Sequence, residues 1–214
     1  MRAGAGLFCV FEGGDGVGKT TQVERLCDWL DTTGREVVRT FEPGDSPLGS
    51  QLRRIVLDPE TGDLDPRAEA LLYAADKAQH LHQVVRPALA RDAVVVCDRY
   101  VDSMLAYQGA GRVLGLDELE WVARWATQDL RPDLTVVLDV DPARAVQEKV
   151  DKDRLEAAGD QFHVRARSSF LQLAARDPGR YLVLDARASR KDIAAQVVDR
   201  VRVLLSDHAG RMEP

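Results

Sequence analysis

Cysteine is scarce in this 214-residue chain: three residues, Cys9, Cys27 and Cys97, widely spaced and without a Cys-x-x-Cys element. An odd, scattered set excludes a disulfide framework and points to buried, reduced thiols. The four histidines, His80, His82, His163 and His208, complete no zinc-ligand spacing with them. No apolar run approaches the roughly 18–20 residues of a membrane span. The opening segment, residues 1–12, has an apolar core too short for a signal peptide, so a cytoplasmic protein is expected. Positive charge is also short, with 29 Lys+Arg against 35 Asp+Glu and a net charge of −6. That balance argues against a nucleic-acid polymer as partner but leaves room for a local basic pocket. There is no internal repeat, low-complexity block or linker. A chain of this length buries about 70% of its unfolded surface without staples, so one domain over 1–214 is expected.

Short apolar runs alternate with longer helical patterns. Leu7–Glu12, Glu36–Phe41, Ala93–Asp98, Leu134–Val140 and Tyr181–Asp185 read as strands. Most are almost continuously apolar, as strands covered on both faces of a parallel sheet must be. Residues 19–33 carry Val23, Leu26 and Leu30 at helical spacing, and 66–90 carry Leu71, Leu72, Ala75, Ala78, Leu81, Val84 and Val85, with Pro87 set to kink or end that helix. A last helix aligns Ile193, Val197, Val201, Leu204 and Leu205. The fold expected is α/β, three layers, with a central parallel sheet of about five strands flanked by helices.

Directly after the first strand stands Gly13-Gly14-Asp15-Gly16-Val17-Gly18-Lys19-Thr20, followed by Thr21. This fits G-x-x-x-x-G-K-[ST] between a strand and a helix, the phosphate-binding loop (P-loop) of nucleoside triphosphate enzymes. Glycines let backbone N–H groups turn in around phosphate oxygens, Lys19 reaches the β- and γ-phosphates, and the Thr20 hydroxyl suits Mg²⁺. Three strands end in a carboxylate, at Asp98, Asp139 and Asp185. Asp98 stands apart because Arg99 follows it, a planar fork suited to a phosphate at the edge where sheet ligands bind.

A regulatory GTPase would carry an Asn-Lys-x-Asp element, which this chain lacks, and a mechanical ATPase has no support here. A small-molecule kinase needs a second pocket with its own cations and aromatic groups, and Arg53, Tyr73, Lys77, Arg99, Tyr107 and Gln108 supply them. Phe11 to Gly16, Lys19-Thr20-Thr21, Glu42-Pro43-Gly44, Ala68 to Asp76, Asp98-Arg99-Tyr100, Ala106 to Arg112 and Leu130 to Thr135 together resemble bacterial thymidylate kinases over roughly residues 7–186. The resemblance implies phosphoryl transfer from ATP, with Mg²⁺, to a deoxynucleoside 5′-monophosphate, dTMP first, and a homodimer. It implies that Lys19 and the loop hold the donor phosphates, Thr20 and Asp98 the metal, and Arg99 the acceptor phosphate. Asp15 would lie near the 3′-hydroxyl, Tyr107 under the sugar, and Tyr73 against the base.

Four stretches depart from the family's pattern. Thr40-Phe41-Glu42-Pro43-Gly44-Asp45-Ser46 stands for Thr-Arg-Glu-Pro-Gly-Gly-Thr, losing a cation and gaining an anion. Lys77 replaces an arginine that reaches the base carbonyl, and lacks its planar fork. Met104 replaces a polar residue at the base edge, where an unpaired polar group costs roughly 1–3 kcal/mol. The lid, about residues 143–158, is poor in arginine and leaves Lys149, Lys152 and Arg154 as its candidate catalytic cations. These departures leave a shifted acceptor, a modified or non-thymine nucleotide, open as the alternative to dTMP.

Overall fold

The computed structural model describes residues 6–112, 114–141 and 159–210. The chain runs β1 (Leu7–Gly13), α1 (Lys19–Asp31), β2 (Val37–Phe41), α2 (Pro47–Leu57), a 3₁₀ turn, α3 (Pro66–His80), a π-helical turn (Leu81–Val85) and α4 (Arg86–Ala90). It continues with β3 (Val94–Asp98), α5 (Val101–Met104), a second π-helical segment (Leu105–Gly111), α6 (Leu116–Thr127), β4 (Leu134–Asp139), α7 (Asp160–Arg176), β5 (Tyr181–Asp185) and α8 (Arg190–Gly210). The five strands form one parallel sheet in the order β2-β3-β1-β4-β5. All five expected strands are present, their ends shifted by at most one residue.

The central strand explains the layering. Every residue of β1 is buried, and its side chains alternate between faces. Leu7, Cys9 and Phe11 pack with Val23, Leu26 and Leu30 of α1 and Ile193, Val197 and Val201 of α8. Phe8 and Val10 face the other way, against Leu81, Val85 and Ala88. A third cluster joins Tyr73, Tyr107, Leu119, Phe162 and Phe170 from α3, α6, α7 and the second π-helical segment. The three cysteines are free and buried, as their scarcity implied. Among the described residues, no helix is long and apolar enough to cross a membrane.

The expected helix over 66–90 is three pieces. Pro87 has no N–H to donate and its ring crowds the carbonyl four residues back, so the turn before it widens to π geometry and resumes as α4. Leu71, expected on the buried stripe, is 59% exposed. It belongs to a different face, shared with Trp121 and Trp125 of α6, which are also exposed.

A buried ionic cluster clasps the end of β2 to α3. Glu42 accepts from Lys77 Nζ at 2.6 Å and from His80 Nδ1 at 2.7 Å. Thr40 Oγ1 lies 2.6 Å from His80 Nε2 and donates to Asp45 at 2.5 Å. Burial alone would raise the Glu42 carboxyl, but Lys77 and His80 outweigh it and hold it below its ordinary 4.5. A lowered carboxyl contributes stability above its unfolded value and loses it as pH falls through the folded one. Glu42→Gln leaves buried Lys77 without its hydrogen-bonded ion-pair partner and is expected to destabilise the fold by about 3–5 kcal/mol near neutral pH. The gap to the parent protein should narrow below pH 4.5, where the parent loses this contribution; urea unfolding across pH measures both.

Candidate active site

β1 and β3 are neighbours, with Phe11 in register with Asp98, so the loop after one and the turn after the other meet at one sheet edge. Gly13, Gly16 and Gly18 all have positive φ. At Gly13 a Cβ would come within 2.4 Å of the Leu138 carbonyl, so only glycine lets the chain leave the sheet there. Gly18 closes the loop in the left-handed region and α1 begins at Lys19. The Val17 side chain packs toward the α1–α8 core, leaving its backbone to the loop.

Lys19 is buried, its Nζ donating to the carbonyls of Gly13 at 3.2 Å and Gly14 at 2.6 Å. Burial first, then the Arg99 cation, push its pKa down to about 8. Thr20 Oγ1 donates to Asp98 Oδ2 at 2.8 Å. The other strand-end carboxylates are engaged elsewhere: Asp139 takes both N–H groups of an Arg167 fork, and Asp185 pairs with Arg187. This separates Asp98 from two residues that the strand pattern alone did not.

Arg99 has a left-handed backbone, φ 69°, and donates from its N–H to Phe11 O at 2.9 Å. Its Nη1 donates to Gly13 O at 3.0 Å and Ser103 Oγ at 3.1 Å, and its Nη2 pairs with Asp15. Burial would raise Asp15, but Arg99 and Lys19 reverse that and hold its carboxyl below the ordinary value. The guanidinium also lies 5.3 Å from the Tyr107 ring centroid. That ring is stacked on Phe162 at 5.7 Å and edge-on to Phe170, so two α7 side chains fix its plane.

These groups share one cleft of about 560 Å³, within the range of small-molecule sites. Asp15, Gly16, Gly18, Lys19, Thr20, Thr21, Asp98 and Arg99 line it together with Arg53, Tyr73, Lys77, Met104, Tyr107 and Gln108. Several of the latter are not the free groups the sequence implied. Lys77 is tied to Glu42. Gln108 Nε2 donates to buried Glu69 at 2.9 Å. Arg53 donates to Pro43 O at 2.6 Å and lies over the Phe41 ring. Tyr73 and Met104 are buried in its wall, so Tyr73 is both cavity lining and core. Arg154, Lys149 and Lys152, with the expected lid, lie outside the described residues.

Glu12 and Ser103, to which sequence pattern alone assigns no role, are hydrogen-bonded into this site. Ser103 Oγ donates to Glu12 at 2.6 Å and accepts from Arg99. The available signal was a lone acid in an otherwise apolar strand immediately before the loop. Phe162 and Phe170, distant in sequence, carried no such signal.

The thymidylate kinase family model matches residues 11–197. The chain is 58% identical over 201 residues to a thymidylate kinase of Cutibacterium acnes, covering 94% of this chain and 98% of that one. It is 48% identical over 195 residues to a thymidylate kinase of Deinococcus radiodurans, covering 90% and 94%. Among solved structures, thymidylate kinase from Ehrlichia chaffeensis superposes with a TM-score of 0.76 at 28% identity, over 92% of this chain and 98% of that one. At such identity over nearly its whole length, the chain belongs to the thymidylate kinase family.

Proposed function

We propose that this chain, acting as one domain in the cytoplasm, transfers the γ-phosphoryl group of ATP to thymidine 5′-monophosphate. The observation that carries the reading is the single cleft, in which a phosphate loop and the Asp98–Arg99 turn share walls with an aromatic compartment. An acceptor phosphate oxygen attacks the γ-phosphorus as its bond to the β-bridging oxygen breaks and ADP leaves. Positioning and charge neutralisation dominate such a transfer. Lys19 and the amides of Gly13 to Thr21 would hold the donor phosphates. Thr20 and Asp98 offer one hydroxyl and one carboxylate side by side, hard oxygens that fit Mg²⁺ when phosphates and water complete its shell. Bound there, Mg²⁺ would supply charge neutralisation.

The Arg99 fork suits the acceptor phosphate and Asp15 the 3′-hydroxyl. Tyr107, its plane fixed by Phe162, would lie under the sugar where a 2′-hydroxyl clashes. Tyr73 would stack on the base, with Met104 an apolar neighbour and Gln108 and Arg53 holding the surrounding wall. Glu42 takes one of the three Lys77 donors. The ammonium can therefore still donate to a base carbonyl while its charge is balanced, which suits a neutral base.

A coupled ADP-release assay across dTMP, dUMP, dCMP, dGMP and UMP should rank dTMP first and UMP far behind dUMP. Turnover of another monophosphate without dTMP overturns the acceptor; turnover of none overturns the activity. Lys19→Ala should lower kcat/KM at least about a hundredfold, the scale seen when one preorganised charge donor is removed.

The exposed face of α3 and α6 supports a homodimer. Trp121 and Trp125 are 67% and 72% exposed beside Leu71, and contiguous apolar surface of this kind marks an interface. Light scattering should give a mass of two chains, falling to one in a Trp121→Glu/Trp125→Glu variant; a monomeric parent protein overturns the assignment.

A further inference from the structure

Glu12 has no exposed surface, yet it sits one residue before the phosphate loop. Its Oε1 accepts the backbone N–H groups of Tyr100 at 2.8 Å and Ser103 at 3.1 Å, and its Oε2 accepts the Ser103 hydroxyl at 2.6 Å. Because that hydroxyl's only hydrogen points at Glu12, a lone pair is presented to Arg99 Nη1, 3.1 Å away. The chain β1 carboxylate, Ser103 hydroxyl, Arg99 guanidinium thus crosses from one strand to its neighbour. It runs beside a backbone that would not hold its left-handed turn at Arg99 unaided. The placement is unfavourable for the carboxyl itself: burial, and then the nearby Asp102 carboxyl, raise its pKa above the ordinary 4.5. Packing alone would favour an apolar residue in this strand.

We propose that Glu12 is a positioning residue that fixes the Arg99 guanidinium through Ser103. The proposal rests on Arg99 holding the acceptor phosphate. It differs from a purely structural role in the contacts it predicts to be separable. Gln at position 12 can still accept both backbone N–H groups. Its amide, however, donates toward Ser103 Oγ, so the hydroxyl hydrogen loses the acceptor that aims it and the lone pair facing Arg99 is no longer fixed.

The test measures KM for dTMP and for ATP, kcat and the melting temperature. It uses the parent enzyme and the Glu12→Gln, Ser103→Ala, Ser103→Thr, Arg99→Ala and Glu12→Gln/Ser103→Ala variants. Glu12→Gln and Ser103→Ala should each raise the dTMP KM about tenfold, the scale of one hydrogen bond to a charged group. The ATP KM should stay within about twofold. The double variant should be no worse than the worse single one, because both act on one link. Ser103→Thr, which keeps the hydroxyl, should restore most of the loss.

Equal changes in both KM values, additive effects, or a lower melting temperature with dTMP KM unchanged would overturn the proposal. If Glu12→Gln does not fold, the Ser103 pair decides: loss in alanine with recovery in threonine supports the link, and no loss overturns it. Arg99→Ala separates the two readings. A raised dTMP KM there with none in Glu12→Gln overturns the Glu12 role alone. No change in Arg99→Ala overturns the Arg99 assignment and this proposal together.

Discussion

Lys19 carries a charge into a place where it is 6% exposed, and the geometry around it follows from keeping that charge satisfied. An ammonium loses several kcal/mol on leaving water unless hydrogen-bond acceptors and opposite charges compensate it. Here the carbonyls of Gly13 and Gly14 turn inward to accept from it, which requires backbone that only glycine supplies at Gly13. In the function proposed above, the same loop would offer its N–H groups to the donor's anionic oxygens. A bound phosphate would then replace the weak carbonyl partners of Lys19 with stronger ones, and the gain would go into binding rather than into rebuilding the loop.

The strand order extends this to a second cation. Because β3 pairs with β1, the residue after β3 lies against the loop, and Arg99 donates to Gly13 O. Two cations so close repel, and this adds to burial, the larger cause, in lowering the Lys19 pKa. Asp15 between them offsets that repulsion and is itself stabilised as an anion. The site is a balanced set of charges whose positions are fixed by two strand ends. The net charge of −6 describes the rest of the molecule and not this edge.

What the residues revealed and what they concealed divide along a physical line. Strands covered on both faces must be apolar throughout, so β1, β3 and β4 were plain in the sequence. The loop was legible because a fixed spacing is its mechanism. The break ahead of Pro87 was foreseeable from the missing N–H, although its π geometry was not. Side-chain partners across the fold were hidden. Nothing in Lys77 announces that Glu42, 35 positions earlier, holds its ammonium. Nothing near Tyr107 announces that Phe162 and Phe170 fix its ring. The outward turn of Leu71 was concealed as well, because periodicity counts apolar residues without saying whether the apolar face meets this chain or another.

The Lys77 substitution takes on a different meaning once its partners are known. Compared with arginine, a lysine is a compact charge on a flexible stem, and a flexible cation in a cleft would be a poor ruler for a base. Glu42 removes that flexibility. It is itself held by His80, which neighbours Thr40, so one α3 side chain is anchored to β2 through two others. The result has the fixed direction of a fork without its two donors, and no net charge beyond the pair. The wall around it is apolar where Met104 and Tyr73 stand. In the function proposed above, an anionic group would be drawn to Lys19 and Arg99, while the far end of the cleft would favour a flat, neutral partner with a carbonyl. Orientation of the acceptor would then follow from that difference in charge balance before any base-specific contact is made.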